Sequence, residues 1–202
     1  DVNAWRDYRW APDGRALFHR KHRYTTQWEV DLLLSPLSGE KPTEFTLSPA
    51  VPADGTPDVS PDGKWLLFTM DSESGRSTLD VSVIPLSIAD HEASGPATVL
   101  FRMTRGAQGS SPFSISSAWS PDSTRVALAC KADSVNEQDI WVAFIDGRTP
   151  VRLTRTAAIK HHLTWSPDGK MLAYLSDDAS TAELKVIPAG GGEAVVLRRW
   201  AA

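Results

Sequence analysis

The sequence predicts an all-β fold, a β-propeller with four recognisable four-stranded antiparallel blades. Three observations predict it. One stretch is written four times: "YRWAPDGRALFHRK" at 8–21, "PDVSPDGKWLLFTMDSESG" at 57–75, "SAWSPDSTRVALACKAD" at 117–133 and "LTWSPDGKMLAYLSDDAS" at 163–180. Each copy is built around a tight turn between two strand-like runs, and repeats of this length are a signature of propellers and solenoids. Two more strand-like runs follow each copy, the last of them short and polar. A helical repeat is the rival, and it fails because the motif is rich in turn residues and no segment sustains a 3.6-residue apolar period.

The anchor prolines Pro12, Pro61, Pro121 and Pro167 are separated by 49, 60 and 46 residues. The extra length in the middle interval is an insertion, "SIADHEASGPA" at 87–97, which lies between strand-like runs and is expected to be a surface loop. The four blades then span about residues 1–48, 49–104, 105–155 and 156–202.

Within each repeat a first short segment ends in a large apolar residue, Trp10, Val59, Trp119 or Trp165. The turn comes next. Ser-Pro-Asp-Gly suits a type I turn position by position: Ser accepts at the first corner, Pro presets φ, Asp fits the third place and Gly leaves in the left-handed region. The second and fourth repeats match this in full, the first has Ala11 for Ser, and the third has Ser123 for Gly. A non-glycine residue held left-handed costs about 1 kcal/mol.

The second strand has two apolar flanks: Trp65, Leu67 and Thr69 against Leu66, Phe68 and Met70, and Met171, Ala173 and Leu175 against Leu172, Tyr174 and Ser176. A strand of that kind is covered on both faces, and because a tight turn makes it antiparallel, its sheet must lie between two others. The third strand is "WEVDLLL", "LDVSVIPL", "DIWVAFI" or "ELKVIPA", followed by turn residues such as Asp146-Gly147. The last, "TEFTL", "ATVLF", "PVRLT" or "AVVLR", has Arg152, Arg155, Arg198 and Arg199 in or beside it, which protects an outer edge from pairing. Sheets of four antiparallel strands, buried inside and charged outside, are propeller blades.

The residues "WSPDGK" with "LAY" at 165–174, and "VSPDGKWLLFT" at 59–69, resemble the TolB-like β-propeller repeat, a relative of the WD repeat, and the resemblance runs through nearly the whole chain as four tandem copies. It implies a propeller and leaves function open. The same repeat serves a periplasmic binding protein, the propeller domains of prolyl-oligopeptidase-like serine peptidases, tricorn-type proteases and large envelope or secreted proteins. Such propellers usually have about six to eight blades. Three architectures therefore stay open: a portion of a larger propeller, a closed four-bladed ring, or a ring completed by another chain. A terminal blade without a neighbour presents an apolar face that invites self-association. The chain starts just before a first strand and ends just after a fourth, so no exchanged closing strand is expected within it. It opens on Asp1 with no signal segment, as in a processed form or a piece of something longer.

Composition narrows the function classes. A net charge of −4 argues against a nucleic-acid binder, which needs a basic face for phosphates. No apolar run approaches the ~18 residues of a membrane span. A single cysteine, Cys130, rules out an internal disulfide and cysteine-rich metal or haem sites. There is no Gly-x-Ser-x-Gly elbow, "GSSPF" at 109–113 lacking its last glycine, and no His-Glu-x-x-His. Gly190, Gly191 and Gly192 precede no helix and read as a turn, not a phosphate cradle. No catalytic set and no cofactor is expected.

The candidate contacts fall in three groups. Asp7, Thr56, Ser116 and His162 occupy matching places three before the anchor residue, where a first strand would line a central channel. Together they form a polar ring for ordered water, an ion or a partner's tail. Its neighbour His161 should point to the opposite face, so that the two histidines do not share one metal. A second group sits in the loops between second and third strands. Three are acidic, with Asp71 and Glu73, then Asp133, Glu137 and Asp139, then Asp177 and Asp178, whereas the first is basic, with His19, Arg20, Lys21, His22 and Arg23. A surface polarised this way steers a partner of mixed charge. Of eight tryptophans, Trp10, Trp65, Trp119, Trp141 and Trp165 recur in register and should pack between blades, while Trp200 is a candidate contact to a further blade or subunit.

The expected role is a non-catalytic binding or scaffold module for a protein partner in a larger envelope or secreted assembly, with a periplasmic or extracellular address implied by the resemblance. The alternative is an accessory, substrate-gating propeller of a serine peptidase or other enzyme whose catalytic domain lies elsewhere. A third possibility, a lyase or metal enzyme with its site in the channel, would depend on His162.

Overall fold

A computed structural model describes residues 8–24, 28–47, 51–52, 57–72, 75–104, 116–130 and 138–201. Among them there is no helix; every regular element is a strand. No helix is therefore long and apolar enough to cross a membrane. The strands form four sheets, one for each repeat, and in the third and fourth repeats they follow chain order: Ser116–Trp119, Arg125–Cys130, Asp139–Phe144 and Val151–Arg152, then Ile159–Trp165, Met171–Asp177, Thr181–Pro188 and Val195–Ala201. All pairings in these two sheets are antiparallel.

The same turn opens each repeat. The amide of its fourth residue donates to the carbonyl of its first in all four, Gly14 to Ala11, Gly63 to Ser60, Ser123 to Ser120 and Gly169 to Ser166, each at 2.9 Å. The exit residue is left-handed throughout, and Ser123 keeps that geometry at φ 58 although it is not glycine. Serine adds a second layer of bonds. Ser60, Ser120 and Ser166 donate Oγ–H to the turn aspartate at 2.6, 2.5 and 2.6 Å and accept from the amides of Trp65, Arg125 and Met171. Ala11 makes neither bond.

The described residues divide into two compact units, Asp1–Met70 with Val81–Val99, and Asp71–Asp80 with Leu100–Ala202. In the first unit, Ala11, Phe18, Leu32 and Phe45 of repeat one pack with Val59, Leu66, Phe68, Ile84 and Ala93 of repeat two. Arg9 reaches across with a two-pronged bond to Asp58, 2.6 and 2.7 Å. In the second unit, Ala127, Ala129, Ile140 and Val142 of repeat three pack with Leu163, Trp165, Leu172, Tyr174 and Ile187 of repeat four. Trp165 Nε1 donates to the Ala118 carbonyl at 2.9 Å, and the Arg125 guanidinium lies 4.6 Å from the Trp165 ring centroid.

Several expectations change. The insertion at 87–97 is more than a surface loop. It contains a strand, Glu92–Ala93, which pairs antiparallel with Leu86 and Ser87 and parallel with Thr46–Leu47, so the end of repeat one is stitched into the sheet of repeat two. Ala93 is wholly buried and Phe45 packs edge-on against the His91 ring, which explains why this segment cannot be a free loop. Trp119 and Trp165 are buried as expected, but Trp10 is 61% exposed, so the register position alone does not put a tryptophan between sheets.

The central strand of repeat two is covered on both faces: Leu66, Leu67, Phe68 and Thr69 are all buried. That of repeat four is covered on one. Leu172, Tyr174 and Ser176 are buried against repeat three, whereas Met171, Ala173 and Leu175 on the other flank are half-buried. The arginines of the outer strands are not simple edge guards either. In repeats two, three and four the third strand carries an acid, and the fourth strand answers it: Arg102 binds Asp80 at 2.6 and 2.8 Å, Arg152 binds Asp139, and Arg199 binds Glu183.

Candidate functional site

The polar groups that matter gather at one end of repeat four. The first strand, Ile159–Trp165, begins regularly, with Ile159 opposite Asp177 and His161 opposite Leu175, and then slips register between His161 and Thr164. The slip is a bulge, and His162 sits in it at φ 54. Imidazole tolerates the left-handed region better than most side chains. The consequence is chemical: in a flat strand, neighbouring side chains point to opposite faces, but the bulge turns His162 back toward His161. Their ring centroids are 4.6 Å apart and their Nδ1 atoms 2.5 Å apart. The expectation that the two imidazoles face away from each other is thus overturned by local backbone geometry.

Asp177, at the end of the second strand, accepts a hydrogen bond from His161 Nε2 at 2.6 Å. Its other oxygen, Oδ1, is withdrawn from solvent without a donor among the described residues. Two features that the sequence places in separate groups, the channel histidine and the acidic loop, therefore meet through His161, whose bridging part sequence reasoning missed. The adjacent His-His pair was the available signal; the bulge that makes it useful had none.

Ser116, grouped with His162 in the same ring by sequence, is joined to that strand through the backbone: the Leu163 amide donates to Ser116 Oγ at 3.3 Å, linking the first strands of repeats three and four.

 

Asp178 folds back on its own loop. Its carboxylate accepts from the amides of Ser180 and Thr181, both at 2.8 Å, and from their hydroxyls at 3.1 and 3.0 Å. Those amide bonds come first among the causes that bring its pKa down to about 2. It is a turn former. Trp200 lies on the last strand, Val195–Ala201, which is exposed along its whole length, with Val195, Leu197 and Trp200 at 56%, 58% and 44%. Asp71 belongs to the strand Trp65–Ser72. Asp7, Thr56, Glu73 and Asp133 lie outside the described residues.

Beneath the histidines is a buried polar network that sequence reasoning also missed. Lys160 is 1% exposed, and its Nζ donates to the Gln138 carbonyl at 2.5 Å and to the Thr156 carbonyl, with Asp139 Oδ1 at 3.5 Å. Asp139 also accepts from Arg152 and, at 2.9 Å, from Thr154 Oγ1. Charges this far from water persist only when bonded, and here the bonds tie the first strand of repeat four to the third and fourth strands of repeat three. Next to it, burial and then the nearby Asp139 push the Cys130 thiol well above its ordinary range, so it stays protonated and unreactive. Among the described residues, no group of three or more His, Cys, Asp or Glu side chains is arranged to hold a metal.

No family model matches the chain. A Dipeptidyl-peptidase 5 of Aspergillus fumigatus is 27% identical over 184 residues, covering 85% of this chain and 24% of the relative. Among solved structures, TolB from Acinetobacter baumannii aligns at a TM-score of 0.63 and 21% identity, over 94% of this chain and 42% of that one. A puromycin-hydrolysing peptidase from Mycobacterium tuberculosis aligns at 0.65 and 16% identity, over 95% of this chain and 31% of that one. The chain thus spans about a quarter of the curated relative's length and less than half of either structural neighbour. Four largely antiparallel sheets, one for each copy of the same Pro-Asp turn, together with these neighbours, give this chain the TolB-like β-propeller fold.

Proposed function

We propose that this chain is a non-catalytic binding module that engages a protein partner within a larger extracytoplasmic assembly. The observation that supports it best is the last strand, Val195–Ala201. It ends its sheet, and it exposes Val195, Val196, Leu197 and Trp200 together. An unpaired edge beside apolar side chains is suited to receive an extended segment by strand addition, with main-chain bonds giving affinity and the side chains selectivity. Pairing with Thr181–Pro188 and the bond from Arg199 to Glu183 fix the register of that edge, which lowers the entropic cost of binding.

The experiment is hydrogen exchange and cross-linking on the chain expressed in its own host, compared with Leu197→Lys. Binding at this edge predicts one stoichiometric protein partner, amide protection confined to 195–201, and loss of both in the variant. A partner retained by Leu197→Lys with protection elsewhere would refute the edge as the binding surface. No stoichiometric partner for the wild-type chain would refute the binding role.

A second reading is favoured by the 27% identity to a dipeptidyl-peptidase. In it the chain is the accessory propeller of a peptidase and restricts access to a catalytic domain on the same polypeptide. The sequence adjoining this segment in its gene separates the two readings: a hydrolase domain with a serine nucleophile elbow supports the peptidase, and further repeats alone support the binding module.

A further inference from the structure

One broad face of the repeat-four sheet is turned away from repeat three, and the strand register shows what it carries. Directly opposed residues of an antiparallel pair lie on the same face. Asp177, Ala182 and Trp200 stand opposite one another across the second, third and fourth strands, as do Leu175, Leu184 and Arg198, with Val186 opposite Val195 further along. None of these side chains is buried: Trp200, Val195 and Arg198 are exposed and the others half-buried. The face is therefore apolar, with one carboxylate and one guanidinium set into it. The carboxylate is short of a donor, because Asp177 Oδ1 is shielded from solvent and accepts no hydrogen bond among the described residues. Arg198 does not serve it: two strands and one row separate them, about 12 Å between Cα atoms by ordinary sheet spacings.

We propose that this face docks on the same face of a second copy of the chain, the two related by a two-fold axis. A two-fold contact must be self-complementary: where residue i meets residue j, j also meets i. A face that holds a carboxylate oxygen lacking a donor and, apart from it, an exposed guanidinium meets that condition. The rotation brings Arg198 of each copy to Asp177 Oδ1 of the other, and Leu175, Leu184 and Val186 supply the apolar contact between the two charge pairs. Size sets the strength. Four strands about 4.8 Å apart, each about seven residues of about 3.3 Å, make a face of roughly 440 Å² per copy. The pair then covers about 900 Å², the size of weak and transient interfaces, so the dimer belongs in the micromolar range. The contact does not rest on the edge role proposed above. Strand addition uses the main chain of 195–201, whereas this docking uses side chains of the central strands.

The test is sedimentation velocity of the purified whole chain in a concentration series that spans the micromolar range. The mass should move from the 22.0 kDa of one chain to twice that value and no further. Leu184→Asp puts a charge in the middle of the face and should stay monomeric throughout the series. Arg198→Glu changes an exposed side chain, so it should fold, and by setting an acid against Asp177 it should weaken association by about tenfold or more. Leu37→Asp alters an exposed leucine of repeat one and should associate as the parent does. Circular dichroism checks the fold of each variant, and should Leu184→Asp not fold, Arg198→Glu decides alone. A parent that stays monomeric throughout overturns the proposal and leaves the face to a different polypeptide. Growth beyond a dimer overturns the two-fold arrangement. Association of folded Arg198→Glu equal to the parent's overturns the contact with Asp177.

Discussion

Lys160 Nζ lies 3.5 Å from Asp139 Oδ1, with the two side chains 1% and 4% exposed and in successive repeats. Removing the acid takes the carboxylate away from a buried ammonium that also donates to the Gln138 and Thr156 carbonyls, and takes from Arg152 its carboxylate acceptor. Asp139→Ala is expected to cost about 3 kcal/mol or more. Lys160→Met leaves Asp139 bonded to Arg152 and Thr154, so its cost should stay below about 2 kcal/mol. Urea unfolding of both variants checks the order, and equal losses would contradict it.

Glycine at the turn exit is tolerant in one repeat and constrained in the next. A Cβ on Gly14 would meet nothing within 4 Å, while one on Gly63 would come within 2.7 Å of Ile88 Cδ1 and 2.8 Å of Pro12 Cγ. Gly14→Ala should cost about 1 kcal/mol from backbone strain alone. Gly63→Ala adds a steric clash between repeats one and two and should lose about 1–3 kcal/mol more. Thermal unfolding of the pair reads the difference.

Repeat one lacks the turn serine, and the other three show what it would do. Ala11→Ser should donate to Asp13 and accept from the Ala16 amide, as Ser60, Ser120 and Ser166 do in their own turns. A gain of about 1 kcal/mol is expected, the usual net value of a hydrogen bond. A loss of stability would show that the buried Ala11 site cannot accept the hydroxyl.

Asp178 and Asp122 both have pKa values lowered from 3.8 to about 2. For Asp178 the amides of Ser180 and Thr181 are the chief cause. For Asp122, burial acts in the raising direction, and the bonds from Ser120 and Thr124 with the Arg125 charge outweigh it. A lowered folded pKa means that the ionised form is favoured by folding. The stabilisation is therefore complete above pH 3.8 and is lost as the pH falls toward about 2. Asp178→Asn should flatten the pH dependence of stability in that window and leave it unchanged near neutrality, as acid unfolding followed by circular dichroism will show.

Local chemistry was enough to settle the strands and turns. A Pro-Asp turn between apolar runs specifies an antiparallel hairpin wherever it occurs, and four copies specify four sheets. The sequence also supplied the residues of the histidine site, because His161, His162 and Asp177 stand out in type and spacing. Their meeting was decided by tertiary structure. A single register slip between His161 and Thr164 reverses the side to which His162 points, and period-2 reading assumes that no slip occurs. The same holds for Lys160 and the stitch at Glu92–Ala93. A lysine on an outer-looking segment and a polar insertion both read as solvent-facing until another repeat supplies the carboxylate, carbonyls or strand that lets them be buried. Sequence periodicity reports which side of a strand a residue takes; what lies against that side is set by segments distant along the chain.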